Sequence, residues 1–127
     1  MFVVNSDGSI YATRGDIGAL EVGVKVSETE DYVFKNGDVV RLNVHKRKRP
    51  DCVVLIKDVL VDQETTIVTI SLSREDTKIG DFISKPVDYW YEIELNPDTT
   101  PQTFTGYDDD GPKIFRLFPE GADKVCE

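Results

Sequence analysis

The chain holds one histidine, His45, so any Ser-His-Asp or Cys-His arrangement must pass through it, and metal sites built on several imidazoles are excluded. His45 ends an alternating segment in which Val40, Leu42 and Val44 oppose Arg41, Asn43 and His45, which places it on the polar face of a strand. Four cations follow directly: Lys46, Arg47, Lys48 and Arg49. Such neighbours oppose protonation of an imidazole and supply no carboxylate to orient it. The expectation is a surface histidine without a catalytic role. No glycine-rich phosphate loop, paired-carboxylate spacing or nucleophile elbow occurs, so no catalytic residue, cofactor or metal ligand is assigned and the chain is read as non-enzymatic.

Three other groups invite a chemical reading. Asp108, Asp109, Asp110 and Gly111 offer oxygen ligands for Ca²⁺, but lack the alternating acids and distant glutamate of a calcium loop, and read as an acidic hairpin tip. The run Lys46 to Arg49 has no interleaved aromatic residues for stacking bases, and with Arg41 it is read as a partner contact or as charge that keeps a strand end from pairing. Trp90, with Tyr89 and Tyr91 beside it and Phe104, Tyr107, Phe115 and Phe118 downstream, gives either core or a binding platform. Alternation sets Tyr89 and Tyr91 opposite Trp90, so one of these sets faces solvent or a partner.

These residues are carried by short strands. Ala19 to Val26 alternates through Leu20, Val22, Val24 and Val26, and Val40 to His45 follows the Asn36-Gly37 turn signal. Cys52 to Leu60 is apolar on both parities, as expected of a central strand covered on both faces. Thr66 to Leu72 is rich in β-branched residues, and Tyr89 to Leu95 alternates until Asn96-Pro97-Asp98 closes it. Gln102 to Tyr107 and Lys113 to Phe118 flank the acidic loop as a hairpin. Ser73 with Asp76 three residues later caps one helical turn ended by Gly80. The expected fold is all-β, an immunoglobulin-like antiparallel β-sandwich with one short helical turn, over residues 1–118, followed by a flexible tail at 119–127.

The balance of 24 acidic against 15 basic side chains gives a net charge of −9, which repels nucleic-acid phosphates and anionic membranes, so neither is an expected partner. The charge is polarised, with Arg41 and Lys46 to Arg49 on one side and most acids in the second half. That asymmetry suits docking onto a protein partner or another copy of the chain. It equally suits a strand pair kept soluble. The start, Phe2-Val3-Val4 followed by Asn5 and Asp7, reads as neither signal peptide nor targeting helix. Cys52 and Cys126 are too few and too far apart for a disulfide framework and are expected to be free thiols.

The stretch Ile70-Ser71-Leu72-Ser73-Arg74-Glu75-Asp76-Thr77-Lys78, followed by Asp88-Tyr89-Trp90-Tyr91-Glu92-Ile93-Glu94-Leu95-Asn96, resembles the N-terminal domain of phage baseplate upper proteins. The Asp76-Thr77 pair, the strand Tyr89 to Leu95, the threonine-rich Thr99 to Gly106 and the segment Lys113 to Phe118 match pieces of that domain. Arg14-Gly15-Asp16 before Leu20 and Gly37-Asp38 before Val40 are similar as well. The resemblance implies a structural attachment part of a phage or prophage tail or baseplate, assembled in the bacterial cytoplasm and resident in the virion. It would contact other baseplate proteins or itself, through residues such as Arg41, Lys46, Arg47, Lys48, Arg49 and Trp90. The basic run departs from the family, as does the lack of a long C-terminal extension. The competing reading is an extracellular carbohydrate-binding or adhesion sandwich built on Trp90.

Overall fold

The computed structural model describes residues 1–46, 52–80, 83–106 and 113–121. Among these residues almost all of the regular structure is β, and the single helix is one turn long. The strands are β1 (Phe2–Val4), β2 (Ile10–Thr13), β3 (Gly18–Val22), β4 (Lys25–Ser27), β5 (Glu30–Asp31), β6 (Val39–His45), β7 (Val53–Leu60), β8 (Val68–Leu72), β9 (Val87–Leu95), β10 (Gln102–Thr105) and β11 (Lys113–Phe118), with α1 (Arg74–Thr77) between β8 and β9. Seven of them form one sheet in the order β1-β2-β11-β9-β6-β7, with β10 also on β9; β3 pairs with β8, and β4 with β5.

The period-two pattern of β9 organises the core. Tyr89, Tyr91, Ile93 and Leu95 point to the inner face and are buried, while Trp90, Glu92 and Glu94 point outward and are half-buried. On the same inner face lie Val40, Leu42 and Val44 from β6, Phe115 and Leu117 from β11, and Ile10 and Ala12 from β2. The pair β3–β8 packs onto this surface with Leu20, Val22, Val68, Ile70 and Leu72. Tyr32, Phe34 and Phe104 close one end of the core edge to face, with ring centroids 5.1–5.9 Å apart. Tyr91 is buried deeply enough that its phenol is pushed up to about 12, so it serves as a neutral donor to the Gly8 carbonyl.

Local chemistry fixes the connections. Gly37, at φ 98°, makes the turn before β6, with the Asp38 N–H donating to the Lys35 carbonyl. Gly18 lies against the Phe2 ring, where a Cβ would fall 2.3 Å from the nearest ring carbon. Ser73 caps α1 reciprocally: its Oγ accepts the Asp76 N–H at 3.2 Å, and its own N–H donates to the Asp76 carboxylate at 2.9 Å. Lys57 reaches the same carboxylate from β7 at 3.0 Å. Burial alone would raise the Asp76 pKa, but these hydrogen bonds and the lysine outweigh it and hold the carboxyl below its ordinary range.

Four expectations are corrected. The segment Ala19 to Val26 does not run as one strand: β3 stops at Val22, and Val26 is exposed on the short β4–β5 ribbon. Cys52 to Leu60 is not central; among the described residues β7 is the rim of the sheet, paired only with β6, and its outer residues face solvent. An apolar run on both parities is compatible with an uncovered edge as well as with a doubly covered strand, and composition does not separate them. The expected hairpin of Gln102 to Tyr107 with Lys113 to Phe118 does not form between β10 and β11. β10 and β11 instead both pair with β9, with Thr105 opposite Ile93 and Lys113 opposite Tyr91. Finally, the sheet is mixed, because β2 and β11 run parallel.

The 119–127 segment was expected to be loose. Glu120 within it forms an ion pair with Arg14, both side chains being buried, and residues 122–127 lie outside the described residues.

Candidate partner-binding face

The second layer covers one face of the large sheet. The cross-strand register defines what the other face presents, because directly opposed residues share a side. Arg41 on β6 opposes Glu94 on β9 and Asp58 on β7. Asn43 opposes Glu92 and Ile56, and His45 opposes Trp90 and Val53. Further along, Trp90 opposes Ile114 on β11, Asp88 opposes Arg116, and Arg116 opposes Tyr11 on β2.

Two zones result. In the charged zone, Arg41 donates two hydrogen bonds to Asp58, Nε to Oδ1 at 2.7 Å and Nη2 to Oδ2 at 3.0 Å, and Nη2 also reaches Asp98 at 3.2 Å. This fork raises the arginine pKa and, with Arg41 as the main cause, lowers that of Asp58. Asn43 donates to Glu94 at 2.5 Å. Beside it, the Glu92 carboxyl is raised, first by burial and then by the adjacent Glu94, with His45 partly offsetting both.

In the aromatic zone, Arg116 donates to both Asp88 oxygens, at 2.6 and 3.2 Å, and its guanidinium lies 5.3 Å from the centre of the Tyr11 ring. Tyr11 in turn meets Phe118 edge to face at 5.5 Å. Trp90, Ile114, Tyr11 and Phe118 are all half-buried, so an apolar strip with a polar clamp lies open beside the charged zone.

The predicted site residues are thus partly brought together. Arg41 and Trp90 share the outer face, on neighbouring strands. Lys46 is exposed just beyond β6, where its N–H donates to the Cys52 carbonyl at 2.8 Å and closes the β6–β7 hairpin. Arg47, Lys48 and Arg49 lie outside the described residues, as do Asp108, Asp109, Asp110, Gly111 and Cys126. Cys52 is a half-buried free thiol.

His45 is a correction. It is on the polar face of its strand, yet only 5% exposed, because β6 is flanked by a strand on each side and Trp90 and Val53 stand across from it. Alternation identifies a face but not how far neighbouring strands bury it. The Tyr11–Arg116–Asp88–Phe118 group was not anticipated. Its signal was the parity of Ile114, Arg116 and Phe118 against Phe115 and Leu117, which lay in plain view once Lys113 to Phe118 was a strand.

Two other concavities are accounted for. A polar cleft of about 200 Å³ surrounds Arg14, Gly15 and Asp16, but Arg14 is buried, donating to the Gly80 carbonyl at 2.8 Å and pairing with Glu120, so the Arg-Gly-Asp sequence is not displayed. A groove of about 430 Å³ opens between the two layers beside Leu20, Val22, Tyr91, Ile93 and Phe104. Among the described residues, no three His, Cys, Asp or Glu side chains are grouped to hold a metal ion. No helix among them is long and apolar enough to cross a membrane. No protein-family profile, curated protein or solved structure matches the chain.

Proposed function

We propose that this chain is a non-enzymatic attachment domain of a phage or prophage tail or baseplate, working through protein–protein contacts made by the open face of its large sheet. The observation that carries the reading is the outer strip of Trp90, Ile114, Tyr11 and Phe118 set beside the Arg41–Asp58 pair. A half-buried aromatic centre with polar side chains around it is the composition of an interface core and rim. The strand order supports an immunoglobulin-like sandwich: β11-β9-β6-β7 correspond to strands G, F, C and C′, and β3–β8 to strands B and E of the opposite sheet. On this reading the domain is held in the virion by other tail proteins, and the charged zone fixes its orientation while the aromatic strip supplies affinity.

The test is mass spectrometry of tail or tail-like particles purified from an induced culture of the source organism, with the gene carrying either the natural sequence or Trp90→Ala. Peptides of the natural chain at a fixed stoichiometric ratio, and folded Trp90→Ala protein left outside the particles, are expected. Intact particles without the natural chain would end the reading. In that event the half-exposed Trp90 would favour a glycan-binding sandwich, to be examined on a carbohydrate array.

A further inference from the structure

The outer face of the large sheet holds one pair of acids that the chain leaves without a cation. Asp58 and Asp98 share Arg41, at 2.7 and 3.2 Å, and Asp88 holds Arg116 at 2.6 Å. Glu92 and Glu94 make no ion pair with a lysine or arginine among the described residues. Arg41 stands directly across from Glu94, but its guanidinium is turned to the two aspartates. The two glutamates lie two residues apart on β9, so they project from the same side with their backbones about 7 Å apart. Their carboxyls converge until a protonated Glu92 reaches Glu94 in a hydrogen bond. Asn43, across from Glu92, donates to Glu94 at 2.5 Å and fixes that carboxylate. On the β10 side, Gly106 sets no side chain over the pair: a Cβ there would stand 3.8 Å from Glu92 Oε2, besides pressing on Thr103 at 3.0 Å. Trp90, two residues before Glu92 on the same side, is half-buried, with His45 across from it.

We infer that Glu92, Glu94 and the Trp90 ring form the seat for an arginine of a partner protein, its guanidinium bridging the two carboxylates and its plane lying against the indole. The inference rests on the attachment reading above and names the chemistry of the partner. Charge complementarity selects the occupant. Both arginines of this face are engaged within the chain, so the charge left over is the negative pair, and in a chain of net charge −9 the matching cation comes from outside. Burial and the adjacent Glu94 oppose ionisation of Glu92, and His45 offsets only part of that, so an incoming cation removes an electrostatic cost that the free domain carries. A lysine would bring a compact, strongly hydrated point charge. The planar fork of arginine reaches two acceptors, stacks on an aromatic face and is more weakly hydrated. The apolar strip running from Trp90 to Ile114 then takes the side chains that flank that arginine.

The probe is the blocked peptide acetyl-Leu-Arg-Leu-amide, titrated into the full chain and followed by the fluorescence of Trp90, the one tryptophan of the sequence. A saturable change is expected, weakened by salt and about tenfold weaker when citrulline, the neutral counterpart, replaces the arginine. The double variant Glu92→Gln, Glu94→Gln should lose binding to the same extent. Glutamine keeps the size of both side chains, and a retained cooperative thermal transition shows the variant folded. Glu28→Gln with Glu30→Gln removes the same charge from exposed positions off the large sheet and should bind as the natural chain does. No saturable change, equal binding of the citrulline peptide, or a Glu92, Glu94 variant that binds like the natural chain overturns the inference. So does a fluorescence change raised by Ca²⁺ alone and not by the peptide, which would assign the pair to a metal ion. Purified tail particles separate the two readings. Natural chain and double variant incorporated equally would sink the arginine seat and keep the attachment role, whereas particles without the natural chain, with the peptide still bound through Glu92 and Glu94, would remove the virion setting and keep the seat.

Discussion

The two faces of the large sheet are built from the same strands and solve opposite problems. On β11, Phe115 and Leu117 are fully buried beneath the β3–β8 pair, while Ile114, Arg116 and Phe118, one residue away in each case, remain half-open on the other side. On β9, buried tyrosines, Ile93 and Leu95 alternate with Trp90 and two glutamates. The inner face is apolar through its centre, with Lys57 at its rim, and gains from exclusion of water. The outer face mixes aromatic rings with charges, of which Arg41 is paired with Asp58 and Arg116 with Asp88. On the proposed function, the difference teaches that stability and docking are separable along a single strand, at a spacing of one residue.

The largest test of that separation is the neighbouring pair Phe115→Ala and Ile114→Ala. Removing a fully buried phenyl ring leaves a cavity among Tyr89, Ile10 and Leu117 and should cost about 3–5 kcal/mol, whereas the half-open Ile114 should cost about 1 kcal/mol or less. Urea unfolding followed by tryptophan fluorescence measures both, and equal losses would refute the claim that only one face carries the fold.

A smaller effect is expected where the covering layer is pinned. Ser73→Ala removes half of the reciprocal cap of α1 and should cost about 1 kcal/mol, because the Asp76 N–H loses its acceptor while the residue 73 N–H still donates to the carboxylate that Lys57 reaches. Urea unfolding of the variant measures the loss, and an unchanged midpoint would mean that the cap adds nothing to the stability of the covering layer.

Much of this arrangement is legible before any coordinates. The alternation Tyr89 to Leu95 separates the two faces correctly, and Asn36-Gly37, Ser73 with Asp76, and Asn96 each mark a turn or cap that forms, Asn96 taking a positive φ of 47°. Pairing is what the residues withhold. Val53 to Ile56 gave no sign that its strand is a rim, because β-branched side chains suit an edge as well as a centre. Lys113 to Phe118 looked like the partner of Gln102 to Tyr107, because a turn-rich loop lies between them, whereas both segments find better hydrogen bonding along β9. The site followed the same rule. Arg41 and Trp90 were identified by type, but their shared face, the burial of His45 and the Tyr11–Arg116 contact depend on which strands are neighbours, information that local periodicity does not contain.

The finest test lies on the outer face, at Glu92. Burial first, and then the adjacent Glu94, raise its carboxyl above the ordinary 4.5, with His45 offsetting part of the rise. A carboxyl whose folded pKa exceeds its unfolded value binds its proton more tightly in the folded state. Its contribution to stability is therefore fully present below about 4.5 and is lost as pH rises through the folded value. Glu92→Gln is neutral throughout and escapes that loss. The variant should gain on the natural chain progressively from pH 4.5 upward and then by a constant amount, while the titrations of Asp58 and Asp76, common to both proteins, cancel in the difference. Urea midpoints of the two proteins across the acidic to neutral range measure it. A difference that does not change with pH would show that Glu92 titrates alike in the folded and unfolded chains, and that the open face imposes no electrostatic cost on the fold that carries it.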